Sequence, residues 1–199
     1  EGHLDQLHCD SCDRFLADRF VIGTCPHCNY DKANGDQCDS CGKLLDAATL
    51  KDPKCKLCSS TPTIKRTEHL FLDLPKLTSQ LQPWTIEQGV VGKWTNNSNT
   101  ITKAWFAEGL KEICITRDLN WGVKVPKKGY ENKVFYVWFD APIGYMSITA
   151  GIRDDWKDWW YKDAKIYNFI AKDNVAFHSI IFPGTLIGAN RGATLVHHI

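Results

Sequence analysis

The 199-residue chain has no hydrophobic run that approaches the roughly twenty consecutive apolar residues needed to span a bilayer. A basic segment followed by an apolar one, as in a secretory leader, does not precede its first cysteine motif. The chain also lacks an excess of charge of either sign, because its formal net charge is +1. This balance gives no general attraction to nucleic acid. With 43% hydrophobic residues, the sequence predicts a soluble globular protein of one large or two small domains.

Cysteine, in contrast, is abundant and regularly spaced. Eight of the nine cysteines form four CxxC pairs in the first third of the chain: Cys9/Cys12, Cys25/Cys28, Cys38/Cys41 and Cys55/Cys58. A two-residue spacer lets both sulfurs of a tight turn reach one metal, and two such pairs complete a tetrahedral structural zinc site. The spacing therefore predicts two four-cysteine zinc sites.

Two other interpretations explain the cysteines less well. A disulfide framework requires an oxidising compartment, and the long remainder with Cys114 as its one cysteine is unlike a small disulfide-rich domain. A thioredoxin-like redox motif accounts for one CxxC pair but not for four. Clusters of free thiols are typical of reducing compartments, so the sequence predicts a cytoplasmic protein.

Sequential and nested pairings of the four motifs both satisfy the zinc chemistry. The two inner pairs are separated by nine residues, from Asn29 to Gln37, which form a short loop containing Gly35. If the inner pairs close on one metal, the outer pairs are left to close on a second. We expect the nested pairing.

The region that holds these motifs is locally acidic. From Glu1 to Ser60 it contains ten Asp and Glu residues against seven Lys and Arg residues. Zinc fingers that bind nucleic-acid phosphates usually have the opposite balance. The charge count therefore does not favour phosphate binding by this region.

The composition changes near residues 60–68, from Cys, Asp and Gly to aromatic and aliphatic residues. We expect a zinc-knuckle domain at residues 1–66, a linking strand and helix segment at 67–110, and a catalytic-type domain at 111–199. In the linking segment, His69 to Leu74 alternates as a strand does, and Pro75 is expected to end it. A helix is expected from about Thr100 to Gly109.

The last ninety residues predict an α/β fold with a parallel sheet. Val134 to Asp140 is apolar on both faces, which is typical of a central parallel strand. Pro142 can open a returning helix at residues 143–150, and Lys165 to Ile170 is expected to form a second strand. Asn174 to about Ile187 predicts a helix that is kinked or broken at Pro183 and Gly184. The order strand, crossover, strand, helix is half of a doubly wound, Rossmann-type domain.

In such folds, ligands bind beyond the carboxyl ends of the strands. The residues expected at these ends are Trp138, Asp140, Ala141, Pro142, Ala171, Lys172 and Asp173. Asn174 and His178 are four residues apart, so we expect them on one face of the following helix. A single histidine is more often a satisfied core or surface residue than a ligand. Here, however, several polar and aromatic residues converge with a helix N-terminus, which suits an anion.

Three strings and the cysteine region resemble the methionyl-tRNA synthetase family. The strings are CITRDLNWG at residues 114–122, VFYVWFDAPIGY at 134–145 and FIAKDNVAFHSIIFPG at 169–184. The GTCPHC and GDQCDSCG motifs are similar to the zinc-bearing connective peptide of that family. The sequence AKDNV at residues 171–175 is similar to the eukaryotic cytosolic and archaeal branch of the family, because bacterial members usually carry isoleucine at the position of Asn174. The resemblance covers essentially the whole chain.

The resemblance implies an enzyme that activates methionine with ATP and Mg²⁺ and transfers it to tRNA(Met). It places Trp138, Ala141, Pro142, Tyr145 and His178 in the wall of the methionine pocket, with Asn174 close by. It also places Ala171, Lys172 and Asp173 at the ATP ribose and Arg117 near the carboxylate and phosphates. None of these residues is expected to be catalytic, because an ionised carboxylate needs no general base.

The HIGH and KMSKS motifs of class I synthetases are absent. We therefore expect an interior fragment of a longer enzyme that does not activate methionine alone. Two alternatives remain. A synthetase for Ile, Leu, Val or Cys would share the fold, and a zinc-ribbon interaction module on an inactive Rossmann-like fragment would share the cysteines.

Overall fold

The structure is a computed structural model that describes residues 1–35, 38–42 and 45–199, without the side chain of Asp18. Within these ranges, no helix combines the length and apolar character needed to cross a membrane. The chain forms two compact units. The first contains residues 1–70, 117–121 and 125–134, and the second contains residues 71–116, 122–124 and 135–199.

The described strands are short apart from two in the first unit. They are β1 Gly2–Cys9, β2 Arg14–Phe15, β3 Val21–Thr24, β4 Ala33–Asn34, β5 Lys51–Cys55, β6 Thr63–His69, β7 Phe71–Leu72, β8 Ile113–Cys114, β9 Thr116–Arg117, β10 Val134–Phe135, β11 Ile166–Tyr167 and β12 Val196–His198.

The described α-helices all lie after residue 70. They are α1 Leu74–Val91, α2 Asn96–Glu108, α3 Val137–Asp140, α4 Ile143–Ile152, α5 Trp156–Trp160 and α6 Phe182–Ala189.

The first unit contains two small antiparallel sheets. In one, β1 lies between β2 and β6, and its pairing with β6 runs from Gly2 opposite His69 to His8 opposite Thr63. In the other, β3 lies between β4 and β5. Their shared core is small and includes four of the cysteines, together with apolar side chains: Leu7, Leu16, Val21, Ala33, Ala47 and Leu50.

A buried ion pair links the end of β6 to residues further along the chain in the first unit. The Lys133 ammonium donates to the Asp118 carboxylate and, at 2.8 Å, to the Thr67 hydroxyl. His69 Nε2 lies 3.1 Å from the same carboxylate. Burial opposes ionisation of Asp118, but the His69 and Lys133 contacts outweigh it and lower the pKa of this carboxyl group.

The second unit is built around helix α1. Asp73 caps this helix by accepting from the Lys76 backbone N–H at 3.2 Å, and a proline occupies its first turn. Leu74 and Leu81 of α1 are fully buried and pack with Ile180 and Ile181. Strands β7 and β8 pair antiparallel, and β11 pairs parallel with β12.

The expectation that Pro75 ends a strand is wrong. Of these residues, His69 ends β6, Phe71 and Leu72 form the two-residue strand β7, and Leu74 begins α1, so that Pro75 lies in the first turn of this helix. A proline is compatible with that turn because its missing N–H would have no partner inside the helix. The helix near residue 100 was expected, but it begins at Asn96, where the Thr95 hydroxyl caps it, and it ends before Gly109 as expected.

The prediction of a central strand from Val134 to Asp140 is also wrong. Only Val134 and Phe135 are extended, and residues 137–140 form helix α3. The backbone turns at Tyr136, whose carbonyl oxygen accepts from the N–H groups of Phe139 and Asp140. Periodicity does not distinguish a short buried strand from a helix when a run is uniformly apolar. The chain nonetheless resumes the expected helix after Pro142, as α4.

The segment from Asn174 to Ile187 is helical but not as one kinked α-helix. Lys172–Asn174 forms a 3-10 turn, Phe177–Ile181 forms a π-helix, and α6 follows. Pro183 does not break the segment, because it occupies the first turn of α6. Gly184 allows close packing instead, since a Cβ there would lie 2.9 Å from Leu74 Cδ2.

Gly92, after α1, permits a close approach of two backbone segments. The carbonyl oxygen of His197 accepts hydrogen bonds from Gln88 Nε2 and Trp94 Nε1, both at 2.9 Å. A Cβ on Gly92 would collide with this same oxygen. The glycine is therefore required by contact rather than by its backbone angles, which are helical.

We predict that Gly92→Ala lowers the free energy of unfolding by about 3 kcal/mol, because β12 must move away from α1. The matched control is Gly151→Ala in α4, where a Cβ meets nothing within 4 Å. Alanine should be neutral or stabilising there by up to about 1 kcal/mol. Urea unfolding followed by circular dichroism measures both, and equal stability of the two variants would contradict the prediction.

Candidate functional site

The eight cysteines of the CxxC motifs come together in two groups of four. One group contains Cys9, Cys12, Cys55 and Cys58, and the other contains Cys25, Cys28, Cys38 and Cys41. Within each group the sulfurs all lie within 4.8 Å of one another. This is the nested pairing expected from the short inner loop.

The sulfur separations fit a tetrahedral metal. A Zn–S bond of about 2.3 Å implies sulfurs about 3.8 Å apart at the corners of a tetrahedron. The observed separations are 3.4 Å for Cys9 and Cys58, 3.9 Å for Cys25 and Cys41, and 3.6 Å for Cys28 and Cys38. Both donor sets are all-sulfur, which is typical of structural zinc sites.

Each CxxC motif is followed by a residue in the left-handed backbone region. These residues are Asp13, Asn29, Gly42 and Ser59, with φ of 45°, 59°, 70° and 61°. In three of the four turns, the N–H of this residue donates to the carbonyl of the first cysteine, at 2.8–3.0 Å. The left-handed residue reverses the chain tightly, so that both sulfurs of a pair point to one position. Asp, Asn and Gly tolerate this conformation best, which makes the turns recognisable in the sequence.

The two cysteines of each motif differ in exposure. The first members, Cys9, Cys25, Cys38 and Cys55, are at most 1% exposed, whereas the second members lie nearer the surface. Hydrogen bonds from the side chain and backbone of Ser60, followed by those from Cys12 and Cys9, lower the pKa of the Cys58 thiol to about 6. Ser60 is not among the predicted site residues, and its hydroxyl lies 3.0 Å from Cys58 Sγ. Its hydroxyl also lies 3.2 Å from Cys9 Sγ. A hydroxyl donor of this kind stabilises a thiolate.

The second unit brings together Tyr145, His178 and Asn174 of the candidate methionine site. The Tyr145 hydroxyl lies 2.9 Å from His178 Nε2, and His178 Nδ1 lies 2.9 Å from the Asn174 carbonyl oxygen. Because a carbonyl only accepts, Nδ1 must carry the proton and Nε2 of the neutral ring must accept from Tyr145. His178 thus contacts the backbone carbonyl of Asn174. The expectation was instead that the Asn174 and His178 side chains share one face of a helix.

Burial favours the neutral form of the His178 imidazole. His178 is 6% exposed, and desolvation lowers its pKa below 6.5 despite the hydrogen bond to Asn174. Tyr145 is 42% exposed, and its hydroxyl donates to the buried His178 ring. A buried residue therefore fixes the orientation of a side chain that solvent can reach. The pair can therefore present a fixed polar group beside an apolar ligand.

The other expected pocket residues lie on α3 and at the start of α4. Trp138 is 55% exposed and contacts Phe177 edge-to-face at 5.0 Å between ring centres. Ala141 is exposed and Pro142 is buried. Two aromatic residues outside the predicted set also belong here: Phe177 contacts Trp138, and Phe182 contacts Tyr145. Both residues lie within the segment 169–184 that resembles the family, so their aromatic side chains in that segment could have indicated them.

The expected ATP residues fall in different units. Ala171 is extended, and Lys172 and Asp173 lie in the exposed 3-10 turn that follows. Lys172 lines a cavity of about 520 Å³ in the second unit, together with Ser98, Phe169 and Val175. Arg117 lies in β9 and belongs to the first unit. A cavity of about 540 Å³ between α1 and α2 contains none of the expected site residues.

Comparison with known proteins extends over the whole chain. The family described as tRNA synthetases class I (M) matches residues 1–199. The cytoplasmic methionine–tRNA ligase of Xenopus laevis is 56% identical over 198 residues, which are 98% of this chain and 22% of that protein. The human cytoplasmic enzyme is 54% identical over 198 residues, 98% of this chain and 22% of the relative. The Treponema denticola enzyme is 51% identical over 205 residues, 100% of this chain and 26% of the relative.

Solved structures agree on the fold. The methionyl-tRNA synthetase of Mycobacterium tuberculosis in complex with methionyl-adenylate matches with a TM-score of 0.60 at 19% identity, over 100% of this chain and 33% of that one. The mixed α/β fold is therefore that of a class I tRNA synthetase. The chain belongs to the methionyl-tRNA synthetase family, as the resemblance of its motifs predicted. It spans about a quarter of the length of the relatives named here.

We predict that His178 titrates with a midpoint below 6.5 and carries its neutral-state proton on Nδ1. Proton–nitrogen correlation spectra of the imidazole measure both. Because the folded-state pKa is lowered, the neutral ring stabilises the fold above pH 6.5, and this contribution is lost as the pH falls through the folded-state pKa. Tyr145→Phe should retain the Nδ1 proton, since the Asn174 carbonyl remains. A neutral ring protonated on Nε2 would contradict the geometry.

Proposed function

We propose that this chain is part of a methionine–tRNA ligase. The enzyme joins methionine to ATP as methionyl-adenylate, releasing pyrophosphate, and passes the methionyl group to tRNA(Met). One observation carries the proposal: relatives that bear this name are 51–56% identical across essentially the whole chain. The names of the Xenopus laevis and human relatives also support a cytoplasmic location.

Methionine is proposed to bind against Trp138, Ala141, Pro142, Tyr145, Asn174 and His178. The contact between Trp138 and Phe177 and the hydrogen bond between Tyr145 and His178 support this assignment, because they bring aromatic rings and a fixed hydroxyl close together in the second unit. Sulfur-to-ring contacts are worth roughly 0.3–1.5 kcal/mol each, and they suit a flexible thioether. The neutral state of His178 is consistent with a side-chain pocket that carries no charge.

ATP, with Mg²⁺ as its counter-ion, is proposed to bind near Ala171, Lys172 and Asp173, with Arg117 near the phosphates. The exposed turn at Lys172 supports this assignment because its backbone and side chains are accessible. The chemistry requires no nucleophilic side chain, since the substrate carboxylate attacks the α-phosphorus. Rate enhancement then comes from positioning and from stabilising phosphoryl charge.

Zinc is proposed to occupy both cysteine groups as a structural ion, held by Cys9, Cys12, Cys55 and Cys58 and by Cys25, Cys28, Cys38 and Cys41. When bound, it would neutralise the thiolates and fix the four turns. We assign residues 1–66 to a zinc-bearing connective domain, 67–110 to a linking segment, and 111–199 to part of the second half of a Rossmann-type catalytic domain.

We predict two zinc ions per chain under reducing conditions, measured by elemental analysis. Cys25→Ser should remove one ion and unfold mainly residues 20–45, because structural zinc binding is coupled to local folding. Cys114→Ser is the matched control and should retain both ions, since Cys114 lies outside both groups. Loss of the outer ion alone from Cys25→Ser would contradict the nested assignment.

We predict that pocket substitutions act on methionine binding in the whole enzyme. Tyr145→Phe should raise the KM for methionine about fivefold, as expected for one hydrogen bond of about 1 kcal/mol, and His178→Ala at least tenfold. Values of kcat should change by less than a few fold, because neither group is proposed to transfer a proton. Discrimination against similarly sized aliphatic amino acids should weaken.

The measurement is methionine-dependent exchange of pyrophosphate into ATP. Tyr161→Phe and His3→Ala are matched controls on exposed side chains. The 199-residue chain alone is expected to show no exchange, because it lacks the two signature motifs. Exchange by the whole enzyme with isoleucine or leucine instead of methionine would overturn the proposed substrate.

A further inference from the structure

A group of charged and polar side chains is buried in the first unit, next to Arg117 in the sequence. The Asp118 carboxylate accepts from the Thr67 hydroxyl at 3.1 Å and from the Lys133 ammonium. His69 Nε2 lies 3.1 Å from the same carboxylate, and Lys133 Nζ also donates to the Thr67 hydroxyl at 2.8 Å. We define the Asp118 cluster as these four residues: Thr67, His69, Asp118 and Lys133.

The charged pairs of this cluster are more deeply buried than the other ion pairs of the described residues. The Asp118 and Lys133 side chains are 9% and 6% exposed, and His69 is fully buried. Every other ion pair within the described residues has a partner that is at least 48% exposed. A buried pair contributes little net stability compared with apolar residues of similar shape, but it can favour one arrangement of the chain over others.

The Asp118 cluster joins three strands at the position of Arg117. Arg117 ends β9 and Asp118 is the next residue, whereas Lys133 directly precedes β10. Strands β9 and β10 form a two-stranded sheet, so the pair of Asp118 and Lys133 links adjacent ends of these strands. Thr67 and His69 lie in β6. The same carboxylate therefore also connects the end of β9 with β6.

The backbone around the cluster is held as well. The Lys133 N–H donates to the Tyr130 carbonyl at 3.0 Å, and the Lys133 carbonyl accepts from the Val125 N–H at 3.3 Å. Tyr130 and Val125 are buried, and Thr116, which precedes Arg117, is fully buried. Successive side chains of a strand point to opposite faces, so Arg117 lies on the face opposite Thr116. Interior contacts thus hold the residues on both sides of Arg117.

We propose that the Asp118 cluster positions Arg117 for its contact with the phosphates of ATP. The proposal rests on the proposed function, which places Arg117 near those phosphates. A guanidinium binds phosphate through N–H donors in a fixed planar arrangement, so its contribution depends on where the backbone places it. Such a group stabilises phosphoryl charge most when it is aligned before the reaction. The cluster acts through Arg117, and it transfers no proton.

The test removes both charges of the pair in the whole enzyme. The cluster variant carries Asp118→Asn and Lys133→Met, which avoids leaving one charge of this pair buried alone. Its matched control carries Glu1→Gln and Lys127→Met, which remove the charges of an exposed ion pair in the same unit. Thr67→Val is a milder variant that removes one hydroxyl and no charge, and it provides the same comparison if the double substitution does not fold. Circular dichroism establishes folding.

In pyrophosphate exchange, the cluster variant should lower kcat/KM for ATP roughly tenfold or more, because a small misplacement of a positioned group is costly. Thr67→Val should lower it about threefold, and the control less than about twofold. The decisive comparison repeats these changes in an Arg117→Ala enzyme, where they should cost less than about a further twofold, since the group through which they act is gone. A purely structural role would cost the same factor in both backgrounds, and that result would overturn the proposal.

Hydrogen–deuterium exchange separates the positioning role from the proposed function. Peptides that cover residues 113–119 of the whole enzyme should exchange roughly tenfold faster in the cluster variant, whereas peptides from β1 should stay within about twofold. Unchanged exchange at residues 113–119 would reject the positioning role, even in an enzyme that activates methionine. Faster exchange there, in an enzyme whose unchanged form makes no methionyl-adenylate, would reject the proposed function and retain the control of the backbone at Arg117.

Discussion

The first unit depends on bringing four thiols within 4.8 Å of one another, twice. Four thiolates at that distance repel strongly in a partly buried site, so the arrangement is stable only with protons or a cation between them. A divalent ion with four sulfur ligands meets this requirement with bond lengths that fit the separations found. The constraint also explains the apolar content of the unit, in which four cysteines are themselves part of a small core. Small domains with so little apolar burial usually need such an additional linkage.

The same constraint organises the surface. The first cysteine of each turn is buried in the core of the unit. Along β3 the side chains alternate, so that Val21 is buried in the core and Ile22 lies on the outer side of the sheet. The outer side of the sheet is therefore available for groups that the core does not require. Lys54 and Lys51 of β5 lie opposite Ile22 and Thr24, with a register shift between the two pairs, and Lys51 Nζ donates to Asn29 Oδ1 at 3.1 Å.

The features that could be predicted from the sequence are those with a local chemical cause. The cysteine grouping followed from two-residue spacers and a short loop, and the left-handed residues after each motif are mostly of types that tolerate that conformation. The strand expected at Val134–Asp140 failed because an apolar run has no periodicity to mark its backbone state. Helix α1 was missed because Pro75 is equally compatible with the end of a strand and the start of a helix. The candidate pocket came from family resemblance, and its aromatic neighbours Phe177 and Phe182 required the tertiary structure.

The contact between Tyr145 and His178 illustrates how an irregular backbone can fix a side chain. His178 lies in the π-helix Phe177–Ile181, so its ring reaches a carbonyl four residues earlier instead of pointing along a regular helical face. The next residue, Ser179, is fully buried and accepts a hydrogen bond from Thr102 of α2 at 2.8 Å. The wide turn is therefore anchored on one side by α2, while Asn174 determines which ring nitrogen carries the proton. Because both restraints come from neutral hydrogen bonds in a buried position, the orientation of the Tyr145 hydroxyl is set by the fold before any ligand arrives.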